Sequence, residues 1–349
     1  MKVAINGLFY TRRIDGLYRY NNEILRELDK ICAKGEFYLI VPKTLENAPE
    51  FERITVVKTG SLKDIPWTQV CFGWYAKTHG MMTLDMCNST VLWKPGISCV
   101  HDLLYLDMAD SFNTWTSKYA IKWSKLNYKL IAKRCRLIFT VSEFSKKRIV
   151  DEYKLKADKV VVAPNGWEHM KRVAPDQNIF ERFPQLIRGN YYFTLASMSK
   201  YKNFDWIVAE AKVNKDSVFA IAGGSVNSSK YSEELTQLKN VVVLGYVSDG
   251  EAAALMKDCK AFLFPSKYEG FGIPPIEAMF MGAKAIVSNA ASLPEVYEDC
   301  VRYIDPNKTD YQLDELLKRE VAPSNKLFEK YGWGKSAIII LETLRNRLC

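Results

Sequence analysis

No apolar run in this chain approaches the ~20 residues that a bilayer-spanning helix requires. Cysteines are present but never in C-x-x-C spacing: the eight stand at 32, 71, 87, 99, 135, 259, 300 and 349, several of them inside apolar runs. Thiols scattered in that way are expected to be reduced and buried rather than bridged. Histidine is scarce, with only His79, His101 and His169, and none stands at ligand spacing from another His or Cys. A structural zinc is therefore not expected, and no Asp-x-Asp occurs either. The fingerprint G-x-G-x-x-G is absent, which disfavours a nicotinamide cofactor, and no nucleic-acid-binding motif is found. Residues 1–10 carry no long apolar stretch with a small-residue cleavage site, so they read as a first strand, and the expected location is cytoplasmic.

What remains is an ordinary globular composition, with 48% hydrophobic and 26% charged residues in a length of 349 that suffices for two domains. The net charge of +9 is lopsided: up to residue 170 there are 26 basic and 18 acidic residues, and the remainder is nearly neutral. A basic first half points to an anionic partner such as a membrane surface or a lipid-linked phosphate.

Strands and helices alternate along the chain. Strands are predicted at 2–6, 37–41, 54–57, 97–100, 137–141, 160–163, 191–196, 218–222, 241–244, 261–264 and 285–288. That alternation implies parallel sheets covered on both faces, in two domains. The stretch 67–96 shows no clear period. Helix 114–136 carries Trp115, Tyr119, Trp123, Leu126 and Leu130 at helical spacing, expected to face the core. A second stripe, Lys118, Lys122, Lys125, Lys129 and Lys133, runs beside it and suits either solvent or an anionic surface. Ser142 is expected to cap the next helix alone, whereas Ser292 and Glu295 match a capping box.

The chain is organised around residues 262–294, which read as strand, loop, helix and strand. Pro274 and Pro275 fit the first helical turn and Gly282 its stop. The loop Glu269-Gly270-Phe271-Gly272-Ile273 is therefore aimed at a helix N-terminus, where free N–H groups attract phosphate. Glu269 and Glu277 frame it, and carboxylates suit sugar and ribose hydroxyls. Backbone donors with flanking acceptors fit a nucleotide-sugar. The plainer reading makes Phe271 a core anchor and Glu277 a solvated helix residue.

The segment EGFGIPPIEAMFMGAKAIVSNAASLPEV resembles the hallmark of retaining glycosyltransferase family 4. The resemblance covers essentially the whole chain, most strongly 240–306 and most weakly 60–95. It implies the GT-B fold, two Rossmann-like domains whose parallel sheets face a central cleft. Residues 1–170, completed by a C-terminal helix at 335–349, would form the acceptor domain and 171–334 the donor domain. The implied reaction moves a sugar from a nucleotide diphosphate, GDP or UDP, to a hydroxyl of a saccharide or lipid-linked acceptor, with retention and without a metal or other cofactor. The catalytic residues it implies are Glu269, His101 and Lys202. The substrate-binding residues are Glu277, the loop 270–273, Gly16, Ser197, Tyr246 and Val247. His101, in His-Asp-Leu at a strand end, would face the donor sugar, and Gly16 would let substrate approach the backbone. Tyr246 and Val247 would border the base. One departure stands out: Ala196 and Ser197 occupy the positions where the family has a small residue and an arginine, which leaves Lys202, with Lys200 near it, to grip the diphosphate. The other readings are a catalytically degenerate scaffold that binds a nucleotide-sugar or glycan, and a GT-B epimerase, for which no paired acid and base are seen.

Overall fold

The computed structural model describes residues 2–12, 15–112, 115–195, 199–223, 235 and 237–348. The chain divides into two compact units, one of residues 1–109, 113–166 and 331–349, the other of residues 110–112 and 167–330.

The first unit holds strands β1 (Val3–Asn6), β2 (Phe37–Val41), β3 (Thr55–Lys58), β4 (Met82–Asp85), β5 (Ile97–Cys99), β6 (Leu137–Thr140) and β7 (Val160–Val162). They form one parallel sheet in the order β3-β2-β1-β4-β5-β6-β7. Runs such as Leu-Ile-Phe-Thr are buried along their whole length, as a sheet covered on both faces requires. β4 lies in the stretch without clear period, because Met-Thr-Leu-Asp has neither alternation nor a full apolar run. Its last residue, Asp85, is buried beneath the Asn6 amide at 2.6 Å and the Cys87 N–H at 3.0 Å.

Helix α1 (Gly16–Ile31) begins where the Asp15 carboxylate accepts from the Tyr18 N–H at 2.8 Å. The C-terminal helix Trp333–Leu348 packs on it, with the Trp333 ring edge-on to Tyr20. Helix α2 (Trp115–Arg134) overturns the expected core stripe. Tyr119 is 72% and Leu126 48% exposed, while Ile121, Tyr128, Ile131 and Ala132 are buried. Both sets have helical spacing. The core cluster of Val100, Ile138, Ile149 and Val160 selects the second, a choice that local periodicity cannot make. Helix α3 (Glu143–Tyr153) starts as expected, with the Ser142 hydroxyl accepting from the Ser145 N–H.

In the second unit β8 (Tyr191–Leu195), β9 (Val218–Ala222), β10 (Val241–Gly245), β11 (Ala261–Phe264), β12 (Ala285–Ser288) and β13 (Arg302–Ile304) form a parallel sheet in the order β10-β9-β8-β11-β12-β13. Helices α4 (Phe204–Val213), α5 (Asp249–Asp258), α6 (Ile273–Phe280) and α7 (Leu293–Tyr297) accompany it. One core face joins Tyr192, Phe219, Ile221, Leu263 and Ile286 from the strands to Phe204, Trp206 and Ile207 of α4.

Candidate functional site

In a parallel sheet, ligands collect outside the carboxyl ends of strands where the strand order reverses. In the second unit that point lies between β8 and β11. The loop after β8 leads to Lys202 and the loop after β11 leads to Glu269. Two ties hold these loops together. The Lys267 N–H donates to the Tyr201 carbonyl at 2.7 Å, and the Asn203 amide donates to the carbonyls of Pro265 and Pro306 at 3.1 and 2.7 Å. Asn203 takes a φ of +59°, in the left-handed region that asparagine tolerates. This clamp places the Lys202 Nζ 2.6 Å from Glu269 Oε1, with both side chains largely buried. The ammonium also stands 5.3 Å from the ring centres of Tyr201 and Phe264, whose faces favour a cation. Ser197 lies outside the described residues, as do Gly224 and Ser225.

From Glu269 the chain runs through Gly270, Phe271 and Gly272 into α6, all three buried. Gly272 has a φ of +83°, and a Cβ there would stand 2.6 Å from Leu293 Cδ2, so both backbone and space demand glycine. Pro274 and Pro275 contribute no N–H. The buried Tyr297 hydroxyl accepts from the Ile276 N–H at 3.2 Å and donates to the Gly272 carbonyl. The N–H groups that open this helix are therefore those of Gly272 and Ile273, at the end of the loop.

The capping box expected at Ser292 is absent. Ser292 is in helical rather than extended conformation, and its hydroxyl donates to the Glu269 carbonyl at 2.9 Å. It thus fixes the backbone that carries Glu269. The same S-x-x-E pattern does close a capping box at Ser248 and Glu251, before α5.

Glu277 lies within α6, 7% exposed, and its Oε1 is 2.7 Å from His169 Nε2. His169 sits in a short 3-10 turn, Glu168–Arg172, anchored by Trp167. The indole packs 4.6 Å from Phe280, one turn beyond Glu277, and 4.8 Å from Phe328, and its N–H donates to the Phe328 carbonyl. No local pattern marks His169 as a partner of Glu277, because the two residues stand 108 positions apart. At the end of β10, Gly245 has a φ of +70°, Tyr246 is 82% exposed and Val247 is buried.

In the first unit His101 follows β5. Its backbone N–H donates to the Asn88 side chain at 2.8 Å, and its Nε2 lies 2.9 Å from the Met86 carbonyl. Since a carbonyl only accepts, Nε2 carries the hydrogen and the lone pair of the neutral ring is on Nδ1. The ring is edge-on to Tyr20 at 4.6 Å. Burial pushes the imidazole pKa down from 6.5 to about 4, so His101 is neutral at pH 7. Asp102 accepts from the Leu104 N–H at 2.9 Å, a local turn. Gly16 is the first residue of α1, and a Cβ there would meet no atom within 4 Å.

Among the described residues no three His, Cys, Asp or Glu side chains converge as metal ligands, and no helix is long and apolar enough to cross a membrane.

Two units built on parallel α/β sheets define the GT-B class, and solved structures share the fold. Sucrose-phosphate synthase from Thermosynechococcus elongatus aligns with a TM-score of 0.73 over 99% of this chain and 98% of its own, at 15% identity. HepE of Anabaena, solved with UDP-glucose, aligns with a TM-score of 0.70 over 99% and 100%, also at 15% identity. Such identities establish fold alone. More particularly, residues 177–330 match the model of glycosyl transferases group 1. O-antigen chain mannosyltransferase B of Escherichia coli is 27% identical over 226 residues, 57% of each protein. The chain spans about half the length of curated relatives that it matches.

Proposed function

We propose that the chain is a retaining, metal-independent glycosyltransferase. It moves a hexose or deoxyhexose from a nucleoside diphosphate to a hydroxyl of a saccharide or lipid-linked oligosaccharide, in the assembly of a surface polysaccharide. The observation that carries this reading is the Lys202–Glu269 pair at the point where the strand order reverses, beside the amides that open α6.

When the bond from the anomeric carbon to the diphosphate oxygen breaks, positive charge develops on the sugar and negative charge on the leaving group. Lys202 and the N–H groups of the loop 271–273 are the donors suited to that diphosphate. Glu269, oriented by Lys202 and by Ser292 beneath its backbone, accepts from donor-sugar hydroxyls. Glu277 accepts from ribose hydroxyls, and Tyr246 and Val247 border the base. Neutral His101 offers Nδ1 as an acceptor for a sugar hydroxyl, and the open space at Gly16 admits substrate to the backbone. Residues 1–170 with the C-terminal helix serve the acceptor, and 171–334 the donor.

The names of the relatives make mannose the first sugar to test, and the UDP-glucose complex of HepE keeps UDP-sugars beside GDP-sugars in the trial. One departure favours a second reading, a scaffold without turnover: Ser197 stands where an arginine would grip the diphosphate. Calorimetric titration of GDP- and UDP-sugars decides the base. Glu277→Ala is expected to weaken the bound donor by ~1.5–3 kcal/mol, as loss of a charge-assisted hydrogen bond does. Product of retained anomeric configuration, formed in EDTA, separates the enzyme from the scaffold. Binding without turnover on any saccharide acceptor would favour the latter.

A further inference from the structure

The Glu277 carboxylate is not left to orient itself. His169 is 2% exposed, and its Nε2 lies 2.7 Å from Glu277 Oε1. Three features hold this imidazole in place. The turn that carries it is one short 3-10 segment, Trp167 ahead of it is packed between Phe280 and Phe328, and the Met170 N–H closes back on the Trp167 carbonyl at 3.0 Å. Phe280 and Glu277 are three residues apart on α6, so the indole and the imidazole address the same stretch of helix. An ionised carboxylate only accepts, so in that state the hydrogen of this bond is on Nε2.

We propose that His169 is a positioning residue for recognition of the nucleotide's ribose, and that it makes the site selective for ribonucleoside over 2′-deoxyribonucleoside diphosphates. This rests on the reading of Glu277 as the ribose acceptor and deepens it. A carboxylate has two oxygens and about four acceptor directions. One of these is committed to the imidazole, which fixes the plane of the group. Vicinal ribose hydroxyls then meet an acceptor already aimed, instead of a flexible side chain that must be ordered on binding. A helix glutamate without such a partner would have to be ordered on binding, and that cost offsets what contacts to the ribose hydroxyls contribute. The diphosphate is held elsewhere, by Lys202 and the loop amides, so the inference predicts a defect confined to the sugar of the nucleotide.

The test uses the full chain and two isosteric amides. In His169→Gln the amide nitrogen stands near the position of Nε2 and can donate to Glu277. In His169→Asn it stands near Nδ1, too short to reach. Calorimetry is run with GDP and UDP, whichever binds, and with the 2′-deoxy and 2′,3′-dideoxy forms of the same nucleotide. Wild type and His169→Gln are expected to prefer the ribose form by about 10- to 100-fold, the effect of a charge-assisted hydrogen bond. His169→Asn is expected to bind all forms with nearly the affinity that wild type shows for the dideoxy form. Equal weakening of ribose and dideoxy forms in His169→Asn, or unchanged selectivity there, would overturn the inference and leave the donor site standing. Absence of nucleoside diphosphate binding by wild type would overturn the functional reading and the inference with it.

Discussion

Taking the His101 imidazole out of water penalises its charged form, and the bond to the Met86 carbonyl recovers only part of that cost. The folded chain therefore binds this proton near pH 4, whereas the unfolded chain binds it near 6.5. Between those values the unfolded state holds more protons, so the stability from this residue is complete above about pH 6.5 and is lost as the pH falls towards 4. The shift corresponds to ~3 kcal/mol. His101→Gln keeps a donor near the Met86 carbonyl and removes the titration. Urea unfolding at pH 7 and pH 4 should show wild type losing ~3 kcal/mol more than the variant over that interval. Equal losses would show that His101 is solvated in the folded state. Residue roles are only partly legible in the sequence. A histidine at a strand's carboxyl end can be singled out from the sequence, but its neutral state depends on packing. His169 illustrates the opposite case, since a side chain that meets its partner across 108 positions leaves no local pattern to read.

At the scale of elements, the stretch 262–294 folds as its sequence suggests, because each part is specified locally. Apolar runs make β11 and β12, prolines open α6, and Gly282, with a φ of +97°, ends it. The two glycines of this element separate backbone strain from crowding. Gly272→Ala adds a left-handed alanine and an overlap with Leu293, together about 2–4 kcal/mol. Gly282→Ala adds the strain alone, about 1 kcal/mol, since nothing lies within 4 Å of its Cβ. Denaturant midpoints should rank wild type above Gly282→Ala and that above Gly272→Ala, and the reverse order of the two variants would refute the close packing of this loop. What local signals miss is tertiary choice. Ser248 and Ser292 both precede a glutamate by three residues, yet only the first has extended backbone and a solvent-facing start; the second is drawn to the Glu269 carbonyl. Helix α2 likewise offers two apolar stripes at the same spacing, and the sheet beneath it takes one.

Over the whole molecule charge is distributed in a way that the fold itself does not require. From residue 111 to 142 there are seven basic residues and no acidic one. On α2 the side chains of Lys118, Lys122, Lys125, Lys129 and Lys133 are all exposed, with Tyr119 and Leu126 exposed beside them. At 100° per residue these seven positions fall within an arc of about 120°. The core face of α2 sharpens the membrane reading, since it leaves two apolar side chains, Tyr119 and Leu126, exposed next to the lysines. A helix with this face is suited to lie on an anionic bilayer rather than to cross it, in keeping with the basic first half. Each lysine contributes ~1 kcal/mol near such a surface, so Lys118, Lys122, Lys125 and Lys129→Gln together should weaken vesicle binding by about a thousandfold. Because all four are solvated, unfolding midpoints should not change. Binding of wild type to vesicles with a quarter anionic lipid should also fall steeply as salt shortens the screening length from ~10 Å at 0.1 M to ~3 Å at 1 M. Tyr119→Ser with Leu126→Ser should remove the part of the affinity that salt leaves behind, since apolar insertion is not screened. Sedimentation with vesicles measures all three. If the quadruple variant sediments as wild type does, the lysines are a solvated helix face and the membrane reading falls.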